Sequence, residues 1–159
     1  MNMARRILVI ATFSACSFSS ISAAEPVENW HFRSTVLDMK GSTLEMVIDE
    51  DRAMYTMGGT MMTLQLTGSE AEAIGTALRE ITADDAPKVG QRIAGGHRIE
   101  VSEEDGNTRI TVREDRDVTM DMAIMGPKEA KKFGAALKGA AARLTDTRAR
   151  ITKAMAESP

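Results

Sequence analysis

Cysteine is all but missing from this chain: Cys16 is the only one. A lone cysteine closes no disulfide within a chain, so packing and hydrogen bonds must hold the fold. Aromatic residues make up only 4%, with one tryptophan, one tyrosine and four phenylalanines. Aliphatic side chains and methionine therefore have to fill the core. Imidazoles are limited to His31 and His97, and no motif surrounds either. There is no G-x-S-x-G elbow and no glycine loop placed to cradle phosphate before a helix. With no catalytic constellation in view, the sequence reads as a non-enzymatic protein.

Long apolar runs are missing too. The most apolar stretch, Ile7 to Phe18, is far short of the ~20 residues that span a bilayer. Its flanks give it another meaning: Arg5 and Arg6 precede it, and Ser22-Ala23-Ala24 follow it. A positive start, a short apolar centre and small residues at −3 and −1 predict a cleavable signal peptide over 1–24. The mature chain then begins at Glu25 and is exported, to the bacterial periplasm or beyond. Phe13-Ser14-Ala15-Cys16 faintly resembles a lipobox, which would instead tether the protein through Cys16. Phe13 stands where leucine is usual, so simple cleavage is the better match. Cleavage after Ala24 removes Cys16 and leaves the mature chain without a thiol.

Charge is divided unevenly. Residues 25–88 carry 5 basic and 12 acidic side chains, and residues 89–159 carry 13 and 11. That asymmetry suits head-to-tail docking of two halves or of two chains, and a homodimer is one outcome. A net acidic chain is a poor match for nucleic acid.

The two halves are also related in sequence. Glu70 to Arg79 and Glu129 to Lys138 both read E-A-x-x-[IF]-G-x-A-L-[RK], at an offset of 59. Each follows a strand-like run and a glycine, Leu64 to Gly68 and Ala123 to Gly126. Upstream, Asp51-Arg52 matches Asp115-Arg116 and Lys40-Gly41 matches Asp105-Gly106. That alignment places about five extra residues in the first copy near Gly58-Gly59. The pattern predicts an internal duplication, 25–88 and 89–159, within one compact domain joined near 82–90.

Alternation of period two marks the strands. Trp30, Phe32, Ser34 and Val36 open the series, followed by Leu44, Met46 and Ile48, then Met62, Leu64 and Leu66. The second copy repeats it with Ile99 and Val101, Ile110 and Val112, then Val118, Met120, Met122 and Ile124. Lys40-Gly41, Gly58-Gly59, Gly95-Gly96 and Asp105-Gly106 are hairpin signals. Helical spacing follows in each copy. Ser69 caps a helix whose face is Ala71, Ile74, Leu78 and Ile81. Pro127 opens another with Phe133, Leu137, Ala140 and Leu144, continuing to Met155 or breaking near Thr145-Asp146-Thr147. The fold class is α+β: two antiparallel β-meander-plus-helix repeats, ββ(β)βα, with the helices on one face of the sheets. This order of elements resembles the duplicated units of the Whirly and PUR single-stranded nucleic-acid binders, although no motif of those families occurs.

The sequence has 12 methionines. Met46, Met62, Met120 and Met122 fall in register with apolar neighbours and read as core. Met57, Met61 and Met125 fall out of that register and read as an exposed apolar surface for a protein partner. Thioether sulfur also suits Cu(I), and His31 with Met57, Met61, Met120 and Met122 forms the alternative, a periplasmic copper-handling set. Asp49-Glu50-Asp51, Glu103-Glu104-Asp105 and Glu114 to Asp117 read as solvated turns. The C-terminal helix carries Lys128, Lys131, Lys132, Lys138, Arg143, Arg148, Arg150 and Lys153, a basic outer face. Overall, the residues predict an exported binding or accessory protein of unspecified ligand.

Overall fold

The computed structural model describes residues 30–39, 41–59, 63–115 and 122–157. The expected signal peptide lies outside them, as do Cys16, Met61 and Met120. The first repeat runs β1 (His31–Met39), β2 (Ser42–Asp49), β3 (Ala53–Gly59), β4 (Thr63–Leu66) and α1 (Gly68–Ile81). The second runs β5 (Gly90–Ala94), β6 (His97–Glu104), β7 (Asn107–Glu114), β8 (Met122–Met125), α2 (Pro127–Ala136) and α3 (Ala140–Ala156). Each set of four strands is an antiparallel meander in chain order, and the helices pack against the sheets. The α+β duplication expected from the sequence is therefore what the chain forms.

Cross-strand neighbours share a face, and this sorts the residues. In the first sheet Ser34, Met46, Tyr55 and Leu66 form one inner row. Leu37, Leu44, Met57 and Leu64 form the next. A bulge between Thr35 and Leu37 lets Leu37 take the inner place that simple alternation gives to Val36. In the second sheet Ile99, Val112 and Ala123 line up, as do Val101, Ile110 and Met125. Both inner faces close over α1, α2 and α3 in one continuous apolar core. Tyr55 belongs to it, and its hydroxyl donates to the Ala140 carbonyl at 3.0 Å. Burial pushes that phenol up from its ordinary value, against the opposing pull of Arg143.

The repeated motif has a physical reading. Its leading acid caps the helix start. Glu70 accepts from the Thr67 N–H at 2.7 Å and the Thr67 hydroxyl accepts in return, a capping box. Glu129 accepts from the Gly126 N–H at 2.9 Å alone, glycine having no side chain to return the bond. The N-cap of α1 is thus Thr67 and not the expected Ser69. The apolar motif positions, Ala71, Ile74 and Leu78 with Ala130, Phe133 and Leu137, are buried. The glycines lie where α1 crosses α2. A Cβ on Gly75 would stand 2.6 Å from the Leu137 Cβ, and one on Gly134 would stand 3.1 Å from Arg79. Arg79 Nη1 donates to the Gly134 carbonyl at 2.7 Å across the same crossing.

Three expectations need correction. The basic C-terminal helix is two helices, because Gly139 turns left-handed at φ 69 and ends the run near Ala136, not at Thr145 to Thr147. Arg143 then donates to the freed carbonyls of Ala136 and Lys138 at 2.9 and 2.7 Å. The upstream alignment of the copies is one hairpin out. By element order the Gly95-Gly96 turn matches the Gly41 turn, and Asp105-Gly106 matches the Asp51 turn. The added residues therefore lie in the second copy, between Glu114 and Met122. Finally, β8 has the opposite phase: Ala123 and Met125 are buried and Ile124 is exposed.

Candidate binding surface at the β5 edge

Among the described residues, the methionines expected to form sites do not come together as the sequence suggests. Met57 is 0% exposed and Met125 3% exposed. Neither is a partner surface: Met57 fills the row between Leu44 and Leu64, and Met125 stands beside Ile110. His31 pairs with Asp49 on the outer face of the first sheet, so its face is opposite that of Met57. Met122 pairs with Arg113 at the far end of the second sheet. Met61 and Met120 lie outside the described residues. His31 Nδ1 is 3.9 Å from Asp49 Oδ2, which Arg52 holds at 2.7 Å. Burial works to raise the Asp49 carboxyl, but the Arg52 hydrogen bonds and charge win and hold it below its ordinary value. Among the described residues, no three His, Cys, Asp or Glu side chains gather closely enough to hold a metal.

The residues that do gather are around β5. Among the described residues this strand ends the second sheet with β6 as its one strand neighbour, so its other edge has no ladder partner there. Arg92 and Ala94 face inward, opposite Ile99 and His97, and Gln91 and Ile93 face outward. Beyond the edge, a groove of about 550 Å³ runs along α1. Ser69, Glu72, Ala73, Thr76, Ala77 and Glu80 line it from α1, at the three- and four-residue spacing of a single helix face. Arg92 and Ala94 form one wall, and Ala141 closes the far side from α3.

Local chemistry fixes this geometry. Gly95 turns at φ 57, and a Cβ there would stand 2.9 Å from the Glu70 Cα, so only glycine lets the β5–β6 turn settle on α1. His97 is buried beneath that turn and holds it, its Nδ1 2.8 Å from the Gly95 carbonyl. A carbonyl only accepts, so Nδ1 carries the proton, and the buried Nε2 has no hydrogen-bond partner among the described residues. Arg92 reaches across to Glu80 in an ion pair. Glu72 accepts from the Gly139 N–H at 3.2 Å, tying α1 to the start of α3. Small alanines floor the groove while two carboxylates and one guanidinium rim it.

Exposed apolar side chains stand on β5 and next to it. Val89 is 64% exposed, Ile93 54% and Ile124 47%, the large exposed hydrophobics among the described residues. Ile93 and Ile124 share the outer face of the second sheet at its two edges. Between them Arg98 and Arg113 are direct cross-strand neighbours, held by Asp115 and Glu100. Sequence reasoning did not expect β5, since Gln91 and Arg92 interrupt any apolar alternation. Its signal was the Gly95-Gly96 hairpin, which requires a strand on each side.

No protein family, curated protein or solved structure matches this chain.

Proposed function

We propose that this chain is an exported, non-enzymatic binding protein that takes up an extended polypeptide segment along β5. The observation that carries the reading is the free edge of β5 beside the α1 groove. An added strand takes its affinity from backbone hydrogen bonds, and its alternate side chains enter the groove. Ile93 on the outer side of the same strand is half exposed, and Val89 just before the strand is exposed. An exposed strand edge is a ready template for pairing with another chain.

The test is selection of a displayed random-peptide library against the exported protein. Enriched peptides are expected to bind wild type and to lose at least tenfold in affinity on Ile93→Lys, which places a charge on the edge. Failure to enrich any binder, or binders indifferent to Ile93→Lys, would refute the reading. So would a turnover that survives stringent purification and is lost on one polar substitution.

A further inference from the structure

The outer face of α2 runs against the charge rules that favour a helix. Lys128, Lys131, Lys132 and Ala135 are exposed on it at three- and four-residue spacing, opposite the buried Ala130, Phe133 and Gly134. Lys138, also exposed, follows just past the helix end. Lys128 stands in the first turn, where the unpaired N–H groups disfavour a cation. It is also three residues from Lys131 and four from Lys132, spacings at which like charges repel. The last turn, where a cation would be favourable, has no basic residue. Glu129, the one acid of this helix, is held by the Gly126 N–H. Among the described residues no carboxylate pairs with any of the four lysines, whereas Arg33, Arg52, Arg92, Arg98, Arg109 and Arg113 each have one. The fold does not require lysine on this face. At the offset of 59, the twin helix α1 carries Ser69, Glu72 and Ala73 where α2 carries Lys128, Lys131 and Lys132. An anion from outside would neutralise what nothing within the described residues does.

We propose that the lysine face of α2 docks on the anionic headgroups of a lipid surface. The ten residues of α2 extend about 15 Å, and a lipid surface presents phosphates side by side across that length. The apolar face of α2 is already buried in the core, so the helix docks without inserting. No aromatic side chain stands among the lysines to stack bases, as single-strand binders require. A helix face also lacks the open strand edge that would order an acidic polypeptide. Lysine ammonium groups are hydrated point charges on flexible stems, which suit mobile headgroups better than the fixed fork of arginine would. Each lysine near such a surface raises partitioning roughly fivefold, and the gain fades within a Debye length. This surface is separate from the β5 groove and does not depend on it.

Co-sedimentation of the exported protein with lipid vesicles tests it. Binding is expected to vesicles containing phosphatidylglycerol and not to pure phosphatidylcholine, and it should weaken steeply as salt is raised. The double variant Lys131→Gln, Lys132→Gln should lose at least tenfold in partitioning. A control with the same change in charge, Lys88→Gln with Arg109→Gln, should lose much less. All four side chains are exposed, and removing the repulsion on α2 should leave Tm no lower than wild type. No binding to the anionic vesicles overturns the proposal, as does equal binding to the neutral ones or an equal loss in the control. A fall in Tm for the α2 variant would mark the lysines as structural and overturn it too. If the protein ignores the vesicles but binds polyglutamate through Lys131 and Lys132, the face serves an acidic protein and the lipid reading falls.

Discussion

Replacing Gly75 by alanine probes the element that the two repeats share. The glycine sits where α1 crosses α2, and its missing Cβ would lie 2.6 Å from the Leu137 Cβ and 3.3 Å from the Leu137 carbonyl carbon. Both are anchored atoms that no rotamer change can move. The helices must separate, at about 2–3 kcal/mol, the upper part of the range for overpacking, because 2.6 Å is far inside contact distance. Alanine returns about 1 kcal/mol of helix propensity. A net loss of about 1–2 kcal/mol is expected, which for a domain of this size lowers Tm by roughly 4–8 °C. The matching Gly134→Ala meets the flexible Arg79 Cγ and the fixed Arg79 backbone nitrogen, each at 3.1 Å, against 2.6 Å for the nearest contact at Gly75. That change should stay within about 1 kcal/mol of wild type. Urea denaturation followed by far-UV circular dichroism measures both. The reasoning is refuted if Gly75→Ala is as stable as wild type, or if Gly134→Ala is the more damaging.

Other expectations follow from single residues. Tyr55 is the only tyrosine, so phenolate absorbance reports it alone. Its folded pKa is raised, so this contribution to stability is complete below about pH 10 and is lost as pH rises through the folded value. The midpoint should fall back to about 10 in urea, and an unshifted folded midpoint contradicts the buried placement. Tyr55→Phe should cost about 1 kcal/mol through the Ala140 hydrogen bond. Asp49 has a lowered pKa, so its contribution is present above the ordinary carboxylate value and lost as pH falls through the folded one. Asp49→Asn should flatten the acid limb of the stability curve, by well under 1 kcal/mol for so exposed a pair. Gly95→Ala should loosen the β5–β6 turn from α1 and weaken occupancy of the groove. Faster amide exchange over residues 90–97 would report it, and unchanged exchange would count against the packing argument. The exported product should have a mass beginning at Glu25, and a lipid-modified mass beginning at Cys16 would contradict that.

Much of this fold is legible in the sequence because period and position agree. Leu44, Met46 and Ile48 alternate and are buried, and the twin E-A-x-x-[IF]-G motifs form matching helices. Local alternation and the duplication disagree at Met125, and the structure follows the duplication. The offset of 59 sets Met125 on Leu66, a core residue, yet counting from Val118 put Met125 outside. Met57 falls out of the expected register beside Gly58-Gly59, which reads as a hairpin turn. Those glycines instead end β3, opposite Thr43 and Ser42. The groove was not legible. It is made by α1, β5 and α3, which sequence distance separates and the close glycine contacts bring together. β5 carries too little apolar alternation to announce itself.

Residue-resolved hydrogen exchange on the full chain, free and with a library-selected peptide, tests the central claim most directly. The account expects new protection concentrated at 89–94 and along the exposed face of α1 between Ser69 and Glu80. Protection confined to the first sheet, or to the α3 surface beyond Ala141, would contradict it.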